Sequence, residues 1–436
     1  MRDVPDDDPG AGTSRHTDPR RWSPFVAVEA ATALSGVANG ISMVAVPWLV
    51  LEITGSASSA GLLAGVTAVP LVIAALFAGS VVDLVGKRRT SILSDALSML
   101  AVAAIPLLAA ADVLSFGVLL GLAIVGAVFD PAGITARESM LPGAAQAARM
   151  PLDRANGIHE ATWGVAFLVG PGVGGLLLGL IGTTATFWGA AACFLLSILA
   201  IALVRMPSAD APDPADRERF WAATKAGIDF VAHDRLLRAV AVFYALLVAA
   251  YMPVQGIVLP AWFESQDRPE ALGLVLMMMS VGGVVGALAY GAWGGRHRRF
   301  PVLVIACTLS SLPIIAMGLL PALPVFLVLA FVSGLFFGPI NPIVNVAMQE
   351  RTPDRLLGRV IGLLTSAAYA LAPIGYLIGG WLFTVLGAAA TLLVLGIALT
   401  AISAACALSR GLRQLDTAPA TSESATDATV DSSTRT

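Results

Sequence analysis

The chain has 436 residues, 26 Lys and Arg against 29 Asp and Glu, and a formal net charge of −3. Hydrophobic residues make up 57% and charged residues 13%, about half the roughly 25% charge of an ordinary soluble domain. A soluble fold this apolar has too little polar surface to cover itself, which argues against a cytosolic enzyme or a nucleic-acid binder.

Residues 1–24, rich in Asp, Pro and Gly, read as a disordered tail. Twelve apolar runs follow, near 25–51, 57–82, 91–111, 115–136, 157–181, 183–204, 236–263, 270–294, 300–320, 323–348, 359–385 and 388–409. Each is long enough for a transmembrane helix of about 20 residues. The first run continues through Val50, well past signal-peptide length and with no clear cleavage site, so it reads as a span rather than a signal peptide. Cys193, Cys307 and Cys406 stand far apart within these runs, with neither metal-ligand spacing nor a disulfide framework.

Charge placement checks the count. With both termini cytoplasmic, twelve spans put 25 of the 26 Lys and Arg on the inner side or its flanks, leaving Arg268 outside. Dropping one span would invert every later loop. The expected organisation is a six-span half over 25–204, a charged connector over 205–235, a second half over 236–409 and a disordered tail over 410–436. Phe220, Trp221, Ile228 and Val231, set among charges in the connector, predict an amphipathic helix on the inner membrane surface.

The halves repeat each other. An offset of 205 carries Gly174-Gly175 onto Gly379-Gly380, Gly182 onto Gly387 and Thr186 onto Thr391; an offset of 212 carries Gly61 onto Gly273 and Gly79 onto Gly291. Six spans per half give both the same orientation, as in parallel repeats about an axis along the membrane normal.

Two glycine-rich motifs stand out. Gly79-Ser80-Val81-Val82-Asp83-Leu84-Val85-Gly86-Lys87-Arg88-Arg89 joins spans two and three, and Gly170-Pro171-Gly172-Val173-Gly174-Gly175 lies within span five. The first resembles the signature loop of the major facilitator superfamily. The second resembles the Gly-Pro-x-x-Gly-Gly motif of its drug–proton antiporters. Asn39-Gly40-Ile41, Val46-Pro47-Trp48, Thr54-Gly55-Ser56, Phe129 with Pro131, and Ala155-Asn156 are similar to words of the macrolide-efflux and siderophore-exporter branch. The resemblance implies an all-α membrane fold of twelve helices, in two six-helix halves rocking about a central cavity. It gives Gly79, Asp83, Gly86, Lys87 and Arg88 a role in switching conformation, and Gly170, Pro171, Gly174 and Gly175 a role in antiport. Leu84 stands where that loop usually has a basic residue, and no Arg or Lys lies between Leu114 and Phe129, where many drug–proton antiporters carry a coupling arginine.

Enzyme signals fail. Residues 170–175 also spell G-x-G-x-x-G, but in the middle of a span and without a strand–turn–helix. His159-Glu160 begins a zincin motif that Trp163 ends, and no phosphate-cradling G-x-x-x-x-G-K-[ST] occurs. The expectation is a transporter with no cofactor and no metal.

Ionisable side chains within a bilayer call for a function or a partner. Asp130 in span four and Glu29 in span one are the leading proton carriers, followed by His159 and Glu160 at the inner mouth of span five. Asp130-Pro131 also has the form of a helix N-cap followed by proline, and Glu29 sits near enough to the inner headgroups to reach them. Asp95 in span three is expected to pair with the basic loop beside it. Under the resemblance, spans one, four, seven and ten line the cavity, which makes Asn39, Tyr244, Tyr251, Gln255, Asn341 and Asn345 candidate substrate contacts. Helix–helix hydrogen bonds are the competing explanation for each. The function expected is proton-coupled export of an amphipathic small molecule, such as an antibiotic or siderophore, by a monomer in the cell membrane. Nutrient uptake and a non-transporting sensor or scaffold are the alternatives. The partners are substrate, protons and the lipid bilayer, not nucleic acid.

Overall fold

A computed structural model of the protein describes residues 21–204, 229–293, 297–352 and 370–416, with Val360, Leu364 and Ser366 between the last two stretches. Most of the connector, with Phe220, Trp221 and Ile228, lies outside the described residues, as do residues 1–20, residues 417–436 and most of the first half of span eleven.

The described chain is helical throughout. The first half comprises α1 (Ser23–Thr54), α2 (Ala57–Val85), α3 (Lys87–Ala110), α4 (Phe116–Ala147), α5 (Leu152–Ile181) and α6 (Thr183–Ala202). The second opens with α7 (Arg235–Pro253), a π-turn (Val254–Val258) and α8 (Leu259–Glu264), which together make one crossing, then α9 (Pro269–Trp293) and α10 (Arg299–Met317). It continues with α11 (Leu323–Phe337), α12 (Ile340–Arg351) and α13 (Ala372–Leu408). Eleven stretches among the described residues are long and apolar enough to cross a membrane. The twelfth crossing is folded into α13, where Gly387 at φ 74° interrupts the helix between spans eleven and twelve.

Local chemistry sets the boundaries. Ser115 accepts from the Val118 amide at the start of α4, and Asp234 accepts from Leu237 at the start of α7. Gly182 has φ 81°, a left-handed value that glycine adopts without strain, and divides α5 from α6 as Gly387 divides α13. The repeat extends to the next residue pair. Thr186 Oγ1 donates to the Gly182 carbonyl at 2.8 Å, and Thr391 Oγ1 donates to the Gly387 carbonyl at 2.7 Å.

Within the first half, α1 packs on α5 and α6, α3 on α4 and α6, and α2 on α4; in the second, α9 packs on α11 and α10 on α13. The halves meet along α2–α13 and α5–α9. Both seams close on glycines. A Cβ on Gly175 would stand 2.5 Å from the Gly273 Cα, and one on Gly61 would stand 3.1 Å from the Gly380 Cα. Small residues let helix backbones approach this closely in a membrane. Ser58 adds hydrogen bonds to the Gly380 carbonyl at 3.3 Å and to Thr384 Oγ1 at 2.7 Å. Toward the opposite end, where Lys87, Arg88 and Arg89 lie, the seams loosen. A Cβ on Gly164 would meet only Val284, at 3.8 Å, and Cβ atoms on Gly157, Gly79 and Gly291 would meet nothing within 4 Å.

Three elements differ from the sequence-based expectation. Helix α4 does not stop near residue 136 but runs to Ala147, so Arg137 belongs to a buried helix face and not to a loop. For the same reason Asp130 is not a helix cap: it and Pro131 lie in the interior of α4. The ordered chain also continues past the last span. Leu412–Asp416 forms a 3₁₀ turn whose Leu412 and Leu415 are buried, and Asp416 accepts from the Phe300 amide at 3.1 Å.

Candidate functional site

Among the described residues, every buried Asp, Glu, Arg or His side chain lies in the first half: Glu29, Asp95, Arg137 and His159. The second half fills comparable positions with neutral hydroxyls, as in the Thr308–Ser403 contact at 2.6 Å and the Ser311–Thr400 contact at 2.9 Å between α10 and α13. Two similar six-helix frames therefore carry different chemistry.

The deepest group is an ion pair. Arg137 Nη1 on α4 lies 3.1 Å from both carboxylate oxygens of Asp95 on α3. Ser197 on α6 donates to the same carboxylate at 2.6 Å, and Ser35 on α1 donates to it at 3.1 Å. Arg137 Nη2 in turn donates to Ser35 Oγ at 3.1 Å. Four helices meet in this cluster, and the charge that each buried ion needs is supplied by the other. Asp95 thus pairs with Arg137, not with the basic loop beside it. The loop residues turn elsewhere: Lys87 Nζ donates to the Ser139 carbonyl at 3.0 Å and Arg88 to the Ala202 carbonyl at 2.6 Å, both within the first half. Asp83 is exposed.

A second group joins α1 to α5. His159 Nδ1 lies 3.0 Å from Glu29 Oε1, both residues being buried. The other nitrogen, Nε2, and the other carboxylate oxygen, Oε2, are buried without a hydrogen-bond partner. Glu29 accordingly faces a helix neighbour and not the headgroups. Glu160 is exposed. Glu138, which the sequence reading passed over, is exposed one position beyond Arg137, close enough to His159 and Glu160 for their charges to act on it. The only signal for it was its place beside a span.

The third group joins α1 to α4. Asn39 Nδ2 donates to Asp130 Oδ1 at 2.9 Å. Arg137 and Asp95 are near enough for their charges to act on this carboxylate. Asp130 therefore stands between a neutral amide and the buried ion pair.

In the second half the neutral candidates form two pairs. The Tyr244 hydroxyl on α7 donates to Asn341 Oδ1 on α12, and Asn345 is exposed one turn along from Asn341. Tyr251 is buried and stacks on Phe337 with ring centroids 4.2 Å apart, and its hydroxyl is within reach of Ser333 and of Gln255 in the π-turn. Tyr251 thus sits in the core of the half and not at an open surface, because its ring finds a parallel aromatic partner there.

The residues of the glycine motif in α5 divide their contacts. Gly170 and Gly174 face the backbone of α1 at Gly40 and Ile41, while Gly175 faces α9 of the other half. The motif lets one helix lie close to two neighbours at once.

The family model described as transmembrane secretion effector matches residues 15–434. The chain is 40% identical over 399 residues to the multidrug efflux pump Tap of Mycolicibacterium fortuitum, covering 91% of this chain and 98% of that protein. It is 26% identical over 347 residues to the enterobactin exporter EntS of Escherichia coli, covering 78% and 81%. Among solved structures, a mutant of the nucleoside transporter NupG superposes with a TM-score of 0.74 at 11% identity, over 89% of this chain and 100% of that one, a likeness of fold. The chain belongs to the transmembrane secretion effector family of major facilitator transporters.

Proposed function

We propose that this transporter exports an amphipathic small molecule, an antibiotic or a siderophore-like metabolite, in exchange for protons. The efflux pump and the siderophore exporter to which it is similar support the direction and the substrate class. The observation that carries the proton coupling is the Asn39–Asp130 contact: a carboxylate in the middle of α4, held by a neutral donor from α1. Such a group accepts a proton when a substrate displaces its donor and releases it when the donor returns. The Glu29–His159 pair, with two free buried atoms, provides a second proton station between Asp130 and the basic end.

In this reading the basic end faces the cytoplasm, and both termini lie there. The glycine seams then close the outer side and leave the inner side open to collect substrate. Protonation from outside accompanies the return step, and each half moves as a body about the seams. Gly79, Asp83, Gly86, Lys87 and Arg88 stiffen the inner end of the first half, so that its helices move together. Tyr244, Asn341 and Asn345 supply the polar contacts of the second half. The transporter works as a monomer.

The test is accumulation of amphipathic dyes and macrolides in efflux-deficient cells, with and without a protonophore, for wild type and Asp130→Asn. Lower accumulation in wild type that the protonophore abolishes and Asp130→Asn loses, at equal expression, is the expected result. Export by Asp130→Asn that remains sensitive to the protonophore would remove Asp130 from the coupling step.

A further inference from the structure

The first half holds a partly open cavity of about 370 Å³. It lies within the six-helix unit, between α1, α2, α3 and α4 and reaching Phe194 of α6, not between the two halves. Its walls are mostly aliphatic, and three hydroxyl residues interrupt them: Ser42, Thr67 and Ser98. Thr67 spends its hydrogen on the carbonyls of its own helix, whereas the Ser42 hydroxyl is buried with no partner. Asn39, which holds Asp130, also lines the cavity.

Size and polarity narrow the occupant. An engineered apolar cavity of about 150 Å³ already binds benzene, and whole-ligand pockets run from about 300 to 1,000 Å³. At the low end of that range, this cavity takes an aryl ring or a compact branched alkyl group with room to spare, while a macrolide-sized molecule would extend beyond it. The polar remainder of the molecule would lie toward Asn39, where its arrival competes for the amide that holds Asp130. Gly126 makes room on the α4 wall: a Cβ built there meets nothing within 4 Å.

We propose that this cavity is the anchor subsite for the apolar end of the exported amphiphile, and that the fit of that end selects substrates. The inference rests on the export reading above. It places a specificity determinant inside one half, so occupancy reaches Asp130 through Asn39 without first closing the halves.

The purified full-length chain in lipid nanodiscs is photolabelled with a diazirine-bearing arylalkyl ammonium, and the labelled residues are mapped by mass spectrometry. Wild type is compared with Gly126→Leu and Ala123→Val, which fill the cavity, and with Gly121→Leu. Gly121 lies on the same helix away from the cavity and also has nothing within 4 Å of a Cβ, so its variant controls for the change in helix propensity. The expected result is label on the α1 and α4 walls that falls by about tenfold in both filling variants and persists in Gly121→Leu, with melting temperatures showing all four folded. Equal labelling of all four proteins, or label confined to Tyr244 and Asn341, would overturn the proposal. So would a diazirine-bearing phospholipid that labels the same walls as strongly, since the cavity would then be a lipid slot. Cellular efflux separates this failure from that of the export reading. If wild type exports probes and Gly126→Leu exports all of them equally well, the subsite falls and export stands. If wild type exports none, the export reading falls and the subsite with it.

Discussion

Arg137 and Asp95 lie 3.1 Å apart with 1% and 2% of their side chains exposed, and they are bound through Ser35 and Ser197 to two further helices. An ion pair this dry serves as structure as much as chemistry, because it fixes how α1, α3, α4 and α6 sit against one another. Removing one partner leaves the other charge buried and uncompensated, a loss of about 3–5 kcal/mol. Asp95→Ala is therefore expected to lower the melting temperature and the yield of folded protein in detergent. The double variant Asp95→Leu with Arg137→Met recovers most of that stability. Efflux restored along with stability would make the pair purely architectural. Stability without efflux would place it in the transport cycle.

The seam glycines set a different test. A side chain at Gly175 collides with the Gly273 backbone, and one at Gly61 with the Tyr376 carbonyl and the Gly380 backbone. Backbone cannot step aside as a flexible side chain can. Gly175→Val and Gly61→Val are each expected to keep the halves folded but prevent that end from sealing. Distances between spin labels across the seam should lengthen in both variants, with efflux reduced by about tenfold or more. Gly79→Val, where a Cβ meets nothing, should leave the seam distance unchanged.

Glu29 and Glu160 separate proton handling from mere proximity. Glu29 is buried against His159, while Glu160 is exposed one residue further along α5. Glu29→Gln keeps the shape and a hydrogen bond but removes the titrating group, so efflux should fall by about tenfold or more and lose its response to external pH. Glu160→Gln should change efflux less than about twofold. The measurement is dye efflux driven by imposed pH gradients in proteoliposomes, and equal behaviour of the two variants would count against the pair.

At the basic end of the second half, Glu350 of α12 pairs with Arg299 of α10. The Arg299 guanidinium holds the Glu350 carboxyl below the usual carboxylate range. Its stabilising effect is therefore complete above the unfolded pKa and is lost as pH falls through the lowered folded value. Wild type should melt above Glu350→Gln at pH 7, with the gap closing at acid pH. Because the pair is largely solvated, the gap should be small and should shrink in high salt.

Sequence alone determined the frame. Hydropathy, the placement of 25 of 26 basic residues and the glycine offsets are local or periodic signals, each readable without knowing what touches what. They specified twelve crossings, the parallel repeat and the break at Gly387, and the loop and glycine motifs carried the family. They also pointed to Asp130 and Glu29, because an acid in an apolar run stands out against its neighbours. Partners were a different matter. The sequence neighbours of Asp95 suggested the loop at Lys87, but its true partner lies 42 residues away on α4. Glu29 and His159 are separated by 130 residues, and Asn39 and Asp130 by 91. Asp130-Pro131 looked like a helix start because a cap and a proline are local cues. Tertiary packing carried α4 through them and on to Ala147, placing Arg137 where Asp95 and Ser35 accept its hydrogen bonds. The cavity beside Asn39 belongs to the same class of fact. A void is the shape left between helices distant in sequence, so no single segment encodes it, and it exists only once α1, α2, α3 and α4 have packed.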